Sequence, residues 1–291
     1  MFIHSECIPC IITVRLQEME MMGLSEDVKL RVMRDIVKYL LENAVENMDV
    51  TFIATNTFRI MKKTTGNMDP YRSCKIKSNS IALSLLPYLK RYVDESRNDV
   101  EAFRKACIAS VVGNAIDFSV AEYKFSLEEV KIANTTLSID NVEELLKLLK
   151  PGVSILYLLD NAGEAVFDTL LLEKIKYRNV KTIGVVKSGA FQNDVTIEDV
   201  KSLDLHSYLD EIVETGTDGS SIFLWEISEK LLRMLNDADL IISKGMANYE
   251  YLSNEIKIRK PIFYLLKAKC SIVAETLGIP HKSYVAKLDL R

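Results

Sequence analysis

Hydrophobic positions divide the 291-residue chain into two parts with different periodicity. Up to about residue 150, apolar residues recur at the three- and four-residue spacing of helices, for example over 28–41, 81–92 and 102–121. From Val153 onward, short runs rich in Val, Ile and Leu alternate with helical segments. This alternation predicts a parallel, Rossmann-like sheet with helices on both faces. We therefore expect an α/β fold, with an all-helical domain over 1–150 packed against an α/β/α domain over 151–291.

Six strands are predicted in the second part. They cover residues 154–159, 182–186, 211–213, 240–243, 262–266 and 283–286. In an open parallel sheet, ligands bind outside the carboxyl ends of the strands. The polar residues that follow these runs are therefore the candidate site residues.

Three predicted strand ends carry polar clusters. Asp160 and Asn161 follow the first strand, Asp194 lies in the loop after the second, and Lys244 follows the strand that begins at Leu240. Asp160, Asn161 and Asp194 can share one hard divalent cation, whose usual ligands are carboxylate and amide oxygens and water. Lys244 would supply a point charge for a phosphate or similar anion. Helix capping explains any single one of these acids or amides equally well, so the pattern leaves both interpretations open.

The helical part contains a polar pair in an otherwise apolar helix. Asn114 and Asp117 stand three residues apart and so share one helix face. Such a pair either forms a buried hydrogen bond to a neighbouring helix or projects into a cleft beside the sheet.

Five cysteines in a chain without a predicted signal peptide argue against a disulfide framework. Cys7 and Cys10 have CxxC spacing, which suits half of a zinc or iron site or a redox pair, with His4 and Cys74 as conceivable further ligands. Because the pair begins an apolar helical pattern, we favour packing or another structural role. Cys270 has no companion in the sequence.

Composition indicates a soluble enzyme. Hydrophobic residues make up 48% of the chain, yet no apolar run reaches the roughly 18 residues that span a bilayer. The 37 basic and 41 acidic residues are nearly balanced, with no long basic cluster for nucleic acid. We expect a cytoplasmic protein without membrane or nucleic-acid partners, and the sequence leaves the oligomeric state open.

Five strings in order resemble the signature set of the DUF89 family, the damage-control metal-dependent phosphatases with the ARMT1-like fold. They are TGNMDPYR (65–72), GNAID (113–117), DNAGE (160–164), NDVT (193–196) and KGMANYE (244–250). The CxxC at 7–10 resembles that of the family's microbial, largely archaeal subgroup. One departure is Met246, which stands where a small or polar residue is expected and affects the shape of the pocket.

The resemblance implies hydrolysis of small phosphorylated metabolites such as sugar phosphates, with Mg²⁺, Mn²⁺, Co²⁺ or Ni²⁺ as cofactor. It implies metal ligands at Asp160, Asn161 and Asp194, which would also be catalytic together with Lys244, a phosphate contact. The expected substrate-binding residues are Asn114, Asp117, Glu164, Gly245, Asn248 and Glu250.

The expected mechanism is in-line attack by metal-activated water. Asp117, Glu164 and Glu250 are alternative candidates for orienting that water or protonating the leaving oxygen. A covalent phosphate on Asp160 is disfavoured, because Ala162 stands where a second acid would be needed. Two other functions stay open: a Rossmann-like carboxyl methyltransferase and a non-catalytic phosphate-ligand binding protein.

Overall fold

The computed structural model describes residues 1–113, 132 and 135–291. In that part, the chain begins with helices and then alternates strands with helices, as the periodicity predicts. The leading helices are α1 (Cys7–Met21), α2 (Glu26–Asn43), α3 (Val50–Thr65), α4 (Arg72–Asp94) and α5 (Asp99–Val112). The helix expected over 102–121 begins as α5, and its part beyond Gly113 lies outside the described residues, together with Asn114 and Asp117.

The remaining elements form the α/β part. They are β1 (Leu137–Asp140), α6 (Val142–Leu148), β2 (Ser154–Leu158), α7 (Glu164–Lys176), β3 (Lys181–Val186), α8 (Ile197–Ser202), a 3₁₀ turn (Leu205–Ser207), β4 (Glu211–Glu214), α9 (Glu229–Asp237), β5 (Leu240–Lys244), α10 (Met246–Leu252), β6 (Ile262–Lys267), α11 (Ser271–Leu277) and β7 (Tyr284–Asp289). Every predicted strand is present, and the predicted ends are within three residues of the observed ones.

The strands form one sheet in the order β1-β7-β6-β5-β2-β3-β4. Strands β2 to β6 pair in parallel, so the predicted α/β class with a Rossmann-like sheet is confirmed. Strand β2 lies at the centre, between β3 on one side and β5 on the other. The strand order reverses there, and such a switch point opens a crevice at the carboxyl ends of the strands.

Two strands differ from the expectation. Strand β1 comes from the segment expected to be all-helical and joins the sheet at its edge beside β7. Strand β7 runs antiparallel to β6 rather than parallel. Strand β1 on its other side runs parallel to β7, so the change of direction in the sheet falls between β6 and β7.

The sheet is covered on both faces, as alternate residues of β2 show. Ile155 and Tyr157 belong to the core formed with α4, α5 and α7, whereas Leu156 and Leu158 belong to the core formed with α9, α10 and α11. A third core holds α1, α2 and α3 together, around residues such as Ile36. Among the described helices, none combines the length and the apolar character needed to cross a membrane.

Candidate active site

The candidate site lies at the switch point of the sheet. Asp160 lies two residues past the end of β2, and Gly245 follows β5 directly. Because β2 and β5 are parallel neighbours, their carboxyl ends bring the two loops together. The loop from β3 to α8, which carries Asp194, meets them from the other side of β2.

Backbone hydrogen bonds join the loop after β2 to the loop after β3. The amide of Val195 donates to the Asp160 carbonyl at 2.8 Å, and the amide of Ala162 donates to the Asn193 carbonyl at 2.8 Å. Between these bonds, Asn161 and Asp194 form an isolated antiparallel bridge. The three predicted metal ligands, named the Asp160 cluster below (Asp160, Asn161 and Asp194), are therefore adjacent and held by main-chain contacts rather than by flexible side chains.

Gly245 leaves the space that the Asp160 carboxylate occupies. Its φ is +81°, and a Cβ added there would lie 2.2 Å from Asp160 Cγ. No side chain fits at that distance, so a glycine is required both by the backbone conformation and by the close approach. Gly245 thus contributes to the site by its missing side chain, which lets α10 begin directly against Asp160.

Burial has a larger effect than the nearby lysines on the two acids of the Asp160 cluster. Asp160 is 8% exposed and Asp194 is 6% exposed. Burial raises the pKa of Asp160 well above its ordinary value, and the negative charges of Glu164 and Asp194 raise it further. Burial also raises the pKa of Asp194 to about 6, although the Lys187 ammonium 3.5 Å away opposes the increase. An added cation would stabilise the charged form of both carboxylates.

The donor set of the Asp160 cluster fits a hard divalent cation. The Asn161 Nδ2 group donates to Asp160 Oδ2 at 2.6 Å and to Glu164 Oε2 at 3.0 Å. Carboxylates only accept, so the amide nitrogen must face them and the carbonyl oxygen Oδ1 is the end left for a ligand. Two carboxylates and an amide oxygen suit Mg²⁺ or Mn²⁺. No three His, Cys, Asp or Glu side chains within residues 1–113, 132 and 135–291 are arranged to hold a metal, and this cluster relies on an amide instead.

Lys244 lies in a separate, fully buried group, named the Lys244 cluster (Lys244, Glu164, Asp168 and Ser110). Its ammonium lies 2.5 Å from Glu164 Oε1 and 2.7 Å from Asp168 Oδ1, and it donates to Ser110 Oγ at 2.6 Å. Burial alone would lower the pKa of Lys244, but the two carboxylates outweigh it and the pKa is raised. Lys244 is 0% exposed and is not part of the cavity wall described below.

The other expected substrate-binding residues lie in different places. Glu164 links the two clusters, since one carboxylate oxygen meets Lys244 and the other accepts from Asn161. Asn248 is buried, accepts from Ser221 Oγ at 2.9 Å and donates to the Lys244 carbonyl at 2.9 Å. Glu250 lines a second cavity rather than that of the Asp160 cluster. Among these three residues, Glu164 alone contacts the Asp160 cluster directly.

A cavity of about 290 Å³ opens onto the Asp160 cluster. One wall is helix α1, which contributes Gln17 and Glu18. Glu18 Oε1 accepts hydrogen bonds from Tyr71 at 3.0 Å and from Gln192 at 2.7 Å. These contacts join the helical part to the loop after β3. The cavity therefore lies between the two parts of the chain.

Lys269 is a candidate site residue that the sequence reasoning missed. It lines the cavity and lowers the pKa of Asp160 electrostatically, opposing the effect of burial. It follows β6, so the rule that selected the other strand ends would also have selected it. Tyr71 lies within the TGNMDPYR string, whereas no comparable signal identifies Glu18 or Gln192, which reach the cavity only through tertiary packing.

Comparisons with known proteins show similarity over nearly the whole chain. A family model described as the damage-control phosphatase ARMT1-like domain matches residues 3–285. A relative named damage-control phosphatase from Archaeoglobus fulgidus is 34% identical over 287 residues, covering 97% of each chain. Another with that name from Pyrococcus horikoshii is 34% identical over 288 residues, covering 98% of this chain and 97% of the relative.

Two further similarities extend over nearly the whole chain. An uncharacterized protein of Methanocaldococcus jannaschii is 37% identical over 282 residues, covering 95% of this chain and 92% of the relative. The crystal structure of a DUF89 family protein from Pyrococcus horikoshii matches with a TM-score of 0.87 and 34% identity, covering 98% of both chains.

Proposed function

Since this chain belongs to the damage-control phosphatase family with the ARMT1-like domain, we propose that it is a divalent-metal-dependent phosphatase acting on small phosphorylated metabolites. The phosphatase role is the one by which its relatives are named. The metal dependence rests on one observation above all: two carboxylates, both more than nine-tenths buried, adjoin an amide oxygen at the floor of a cavity.

Each member of the Asp160 cluster has a role in this proposal. Asp160, Asn161 and Asp194 hold the cation through their side-chain oxygens. When bound, the cation supplies Lewis-acid stabilisation of the phosphoryl group and activation of water. The main-chain bridge between Asn161 and Asp194 fixes the spacing of these oxygens before substrate arrives.

The two lysines near the site have different roles. Lys269 lines the cavity, so we assign the phosphate contact to it rather than to Lys244. Lys244 instead neutralises Glu164 and Asp168. Glu164 in turn orients the Asn161 amide, so Lys244 acts on the site by positioning rather than by contact with phosphate.

The cavity favours a small substrate with both polar and apolar surface. Its volume of about 290 Å³ is at the lower limit for small-molecule sites. Gln17 and Gln192 offer amides to hydroxyl groups, while Phe191 and Met246 provide apolar contact. A phosphorylated sugar or similar polyol fits this lining. Met246, where a small or polar residue was expected, makes that wall more apolar.

Metal removal tests the proposed function. Protein stripped with a chelator is expected to release no phosphate from p-nitrophenyl phosphate or from a panel of sugar and nucleotide phosphates. Adding back Mg²⁺, Mn²⁺, Co²⁺ or Ni²⁺ should restore release, and the panel then ranks the substrates. Loss of the cation removes several kcal/mol of transition-state stabilisation, so Asp160→Ala should lower turnover about a thousandfold.

The matched control is Asp237→Ala, the same substitution at an exposed acid of α9. It should keep full activity. Metal-independent release by the wild-type protein, or full activity of Asp160→Ala, would contradict the assignment. Metal and phosphate binding without turnover would instead support a phosphate-ligand binding protein.

A further inference from the structure

A second cavity, of about 540 Å³, lies beside the first and brings together cysteines from opposite ends of the sequence. Cys7 and Cys10 reach it from the first turn of α1, and Cys270 reaches it from the residue that precedes α11. Cys270 therefore has companions, contrary to the expectation from the sequence. The contact arises because α1 packs across the carboxyl end of the sheet, next to the loop after β6.

His281 lines the same cavity, and one of its ring nitrogens already has a partner. Its Nε2 lies 2.6 Å from the carbonyl oxygen of Lys269. Since a carbonyl only accepts, Nε2 carries a proton, and in the neutral ring the lone pair is then on Nδ1. Histidines that bind metals commonly donate their other ring N–H to a backbone carbonyl in this way.

We propose that Cys7, Cys10, Cys270 and His281 bind a thiophilic divalent cation of the Zn²⁺ class. Three sulfurs and one imidazole form a ligand set common in structural zinc sites, and Cys7 and Cys10 have the usual two-residue spacing. No three His, Cys, Asp or Glu side chains in the described part already enclose a common point, so the ion has to draw ligands inward. Cys10 is exposed, which leaves its side chain free to rotate, whereas the His281 ring is held by its bond to the Lys269 carbonyl.

The proposed ligands come from both sides of the second cavity. A bound cation would connect α1, which forms a wall of the first cavity, to the loops around α11. Such a site would stabilise the packing of the helical part against the sheet at the edge of the cleft.

Cobalt distinguishes this site from the Asp160 cluster, because thiolate ligands give Co²⁺ an intense charge-transfer absorption that oxygen ligands do not. Co²⁺ is added to chelator-stripped, phosphine-reduced protein. We expect the thiolate absorption in the wild type and in Asp160→Ala, and its loss in Cys270→Ser and in the double variant Cys7→Ser, Cys10→Ser. His281→Ala should weaken Co²⁺ binding at this site at least about tenfold.

The matched control is Cys74→Ser, because Cys74 is half-buried but lies outside the cavity, with its sulfur 3.4 Å from Met21 Sδ. It should retain the absorption. Absence of the absorption in the reduced wild type, or its persistence in Cys270→Ser, would overturn the proposal. If the double variant fails to fold, the single variants Cys270→Ser and His281→Ala still test the proposal, because Cys270 is half-buried and His281 is exposed. The absorption does not depend on phosphate release, so this test is separate from that of the phosphatase.

Discussion

The Asp160 cluster and the Lys244 cluster are neighbouring groups of buried acids with opposite electrostatic arrangements. In the Lys244 cluster, one ammonium lies within 2.7 Å of a carboxylate oxygen of both Glu164 and Asp168. In the Asp160 cluster, the nearest ammonium to Asp194 is that of Lys187, 3.5 Å away, and the pKa of both acids is raised. In the first cluster the carboxylates outweigh the effect of burial on the pKa of Lys244, whereas in the second cluster burial outweighs the effect of the nearby lysines on the pKa of the acids.

The contrast separates structural acids from ligand-binding acids better than burial alone does. Both clusters are inaccessible or nearly so, and both lie at the carboxyl ends of central strands. Within residues 1–113, 132 and 135–291, the Asp160 cluster lines the cavity of about 290 Å³, whereas Lys244 does not. A buried carboxylate whose burial outweighs the effect of nearby lysines costs stability, and such a cost is common at functional sites. Glu164 connects the two arrangements, because it contacts both Lys244 and Asn161.

Removal of Lys244 should produce the largest change in stability. Lys244→Met leaves the Glu164 and Asp168 carboxylates buried without their cation, and breaking a buried ion pair in this way costs about 3–5 kcal/mol. Urea unfolding of the chelator-treated protein measures the loss. Lys267→Met, the same change at the end of β6 and at a half-buried position, is the control and should cost much less. A cost below about 1 kcal/mol for Lys244→Met would show that the pair is not neutralised as described.

Substitution of Gly245 should act on the Asp160 cluster instead. In Gly245→Ala, the new Cβ and the Asp160 carboxylate cannot both keep their positions. Displacement of a catalytic group by about 1 Å can cost about a hundredfold in rate. We expect a loss of that size in turnover, together with weaker Mn²⁺ binding by calorimetry.

Gly278→Ala separates the contact from the backbone effect. Gly278 also has a positive φ, +66°, but a Cβ there would meet no atom within 4 Å. Because of the strained backbone, Gly278→Ala should lose about 1 kcal/mol of stability, but it should keep its activity. Equal activity losses in the two variants would contradict the role given to Gly245.

Neutralisation of Asp194 should stabilise the metal-free protein in a pH-dependent way. The pKa of Asp194 rises from 3.8 to about 6 on folding, so between these pH values the folded state binds a proton that the unfolded state has lost. The free energy of unfolding therefore decreases as the pH rises through this range. A shift of this size corresponds to roughly 3 kcal/mol above pH 6, and it already includes the attraction to Lys187. Asp194→Asn should therefore be about 2–3 kcal/mol more stable than the wild type near pH 8, with no gain near pH 4.

Thermal unfolding across this pH range measures the difference. The metal-loaded protein serves as the control, because a cation that binds only the folded wild type reverses the order of stability. A variant that is less stable than the wild type at every pH without metal would show that Asp194 is a structural acid, like those of the Lys244 cluster.

The sequence predicted the strands and the Asp160 cluster because both depend on local patterns. Apolar runs mark the buried parallel strands, and the first polar residues after them are delivered to one edge of the sheet. The partner of Lys244 was not predicted, although a signal exists. Glu164 and Asp168 stand four residues apart and so share a face of the otherwise buried helix α7, where two acids require a cation.

The residues that line the walls of the cleft could not be predicted from the sequence. Glu18 lies on α1 and Gln192 follows β3, and nothing in their local sequence shows that they meet. Cys270 lies 260 residues from Cys10, yet both line the second cavity. The antiparallel β7 was missed for a different reason, since periodicity reports the presence of a strand but not its direction.

The smallest expected effect comes from Lys269, which tests which lysine contacts the substrate. Its position at the cavity wall predicts that Lys269→Gln weakens phosphate binding, raising KM about tenfold, or about 1.4 kcal/mol, with a smaller change in kcat. Because the contact is between exposed charges, the ratio of variant to wild-type KM should decrease as salt is added. Lys282→Gln, an exposed lysine outside both cavities, should leave KM unchanged. If Lys269→Gln has no effect on KM while a stable Lys244 variant raises it, the phosphate contact belongs to Lys244, and the Lys244 cluster must open when substrate binds.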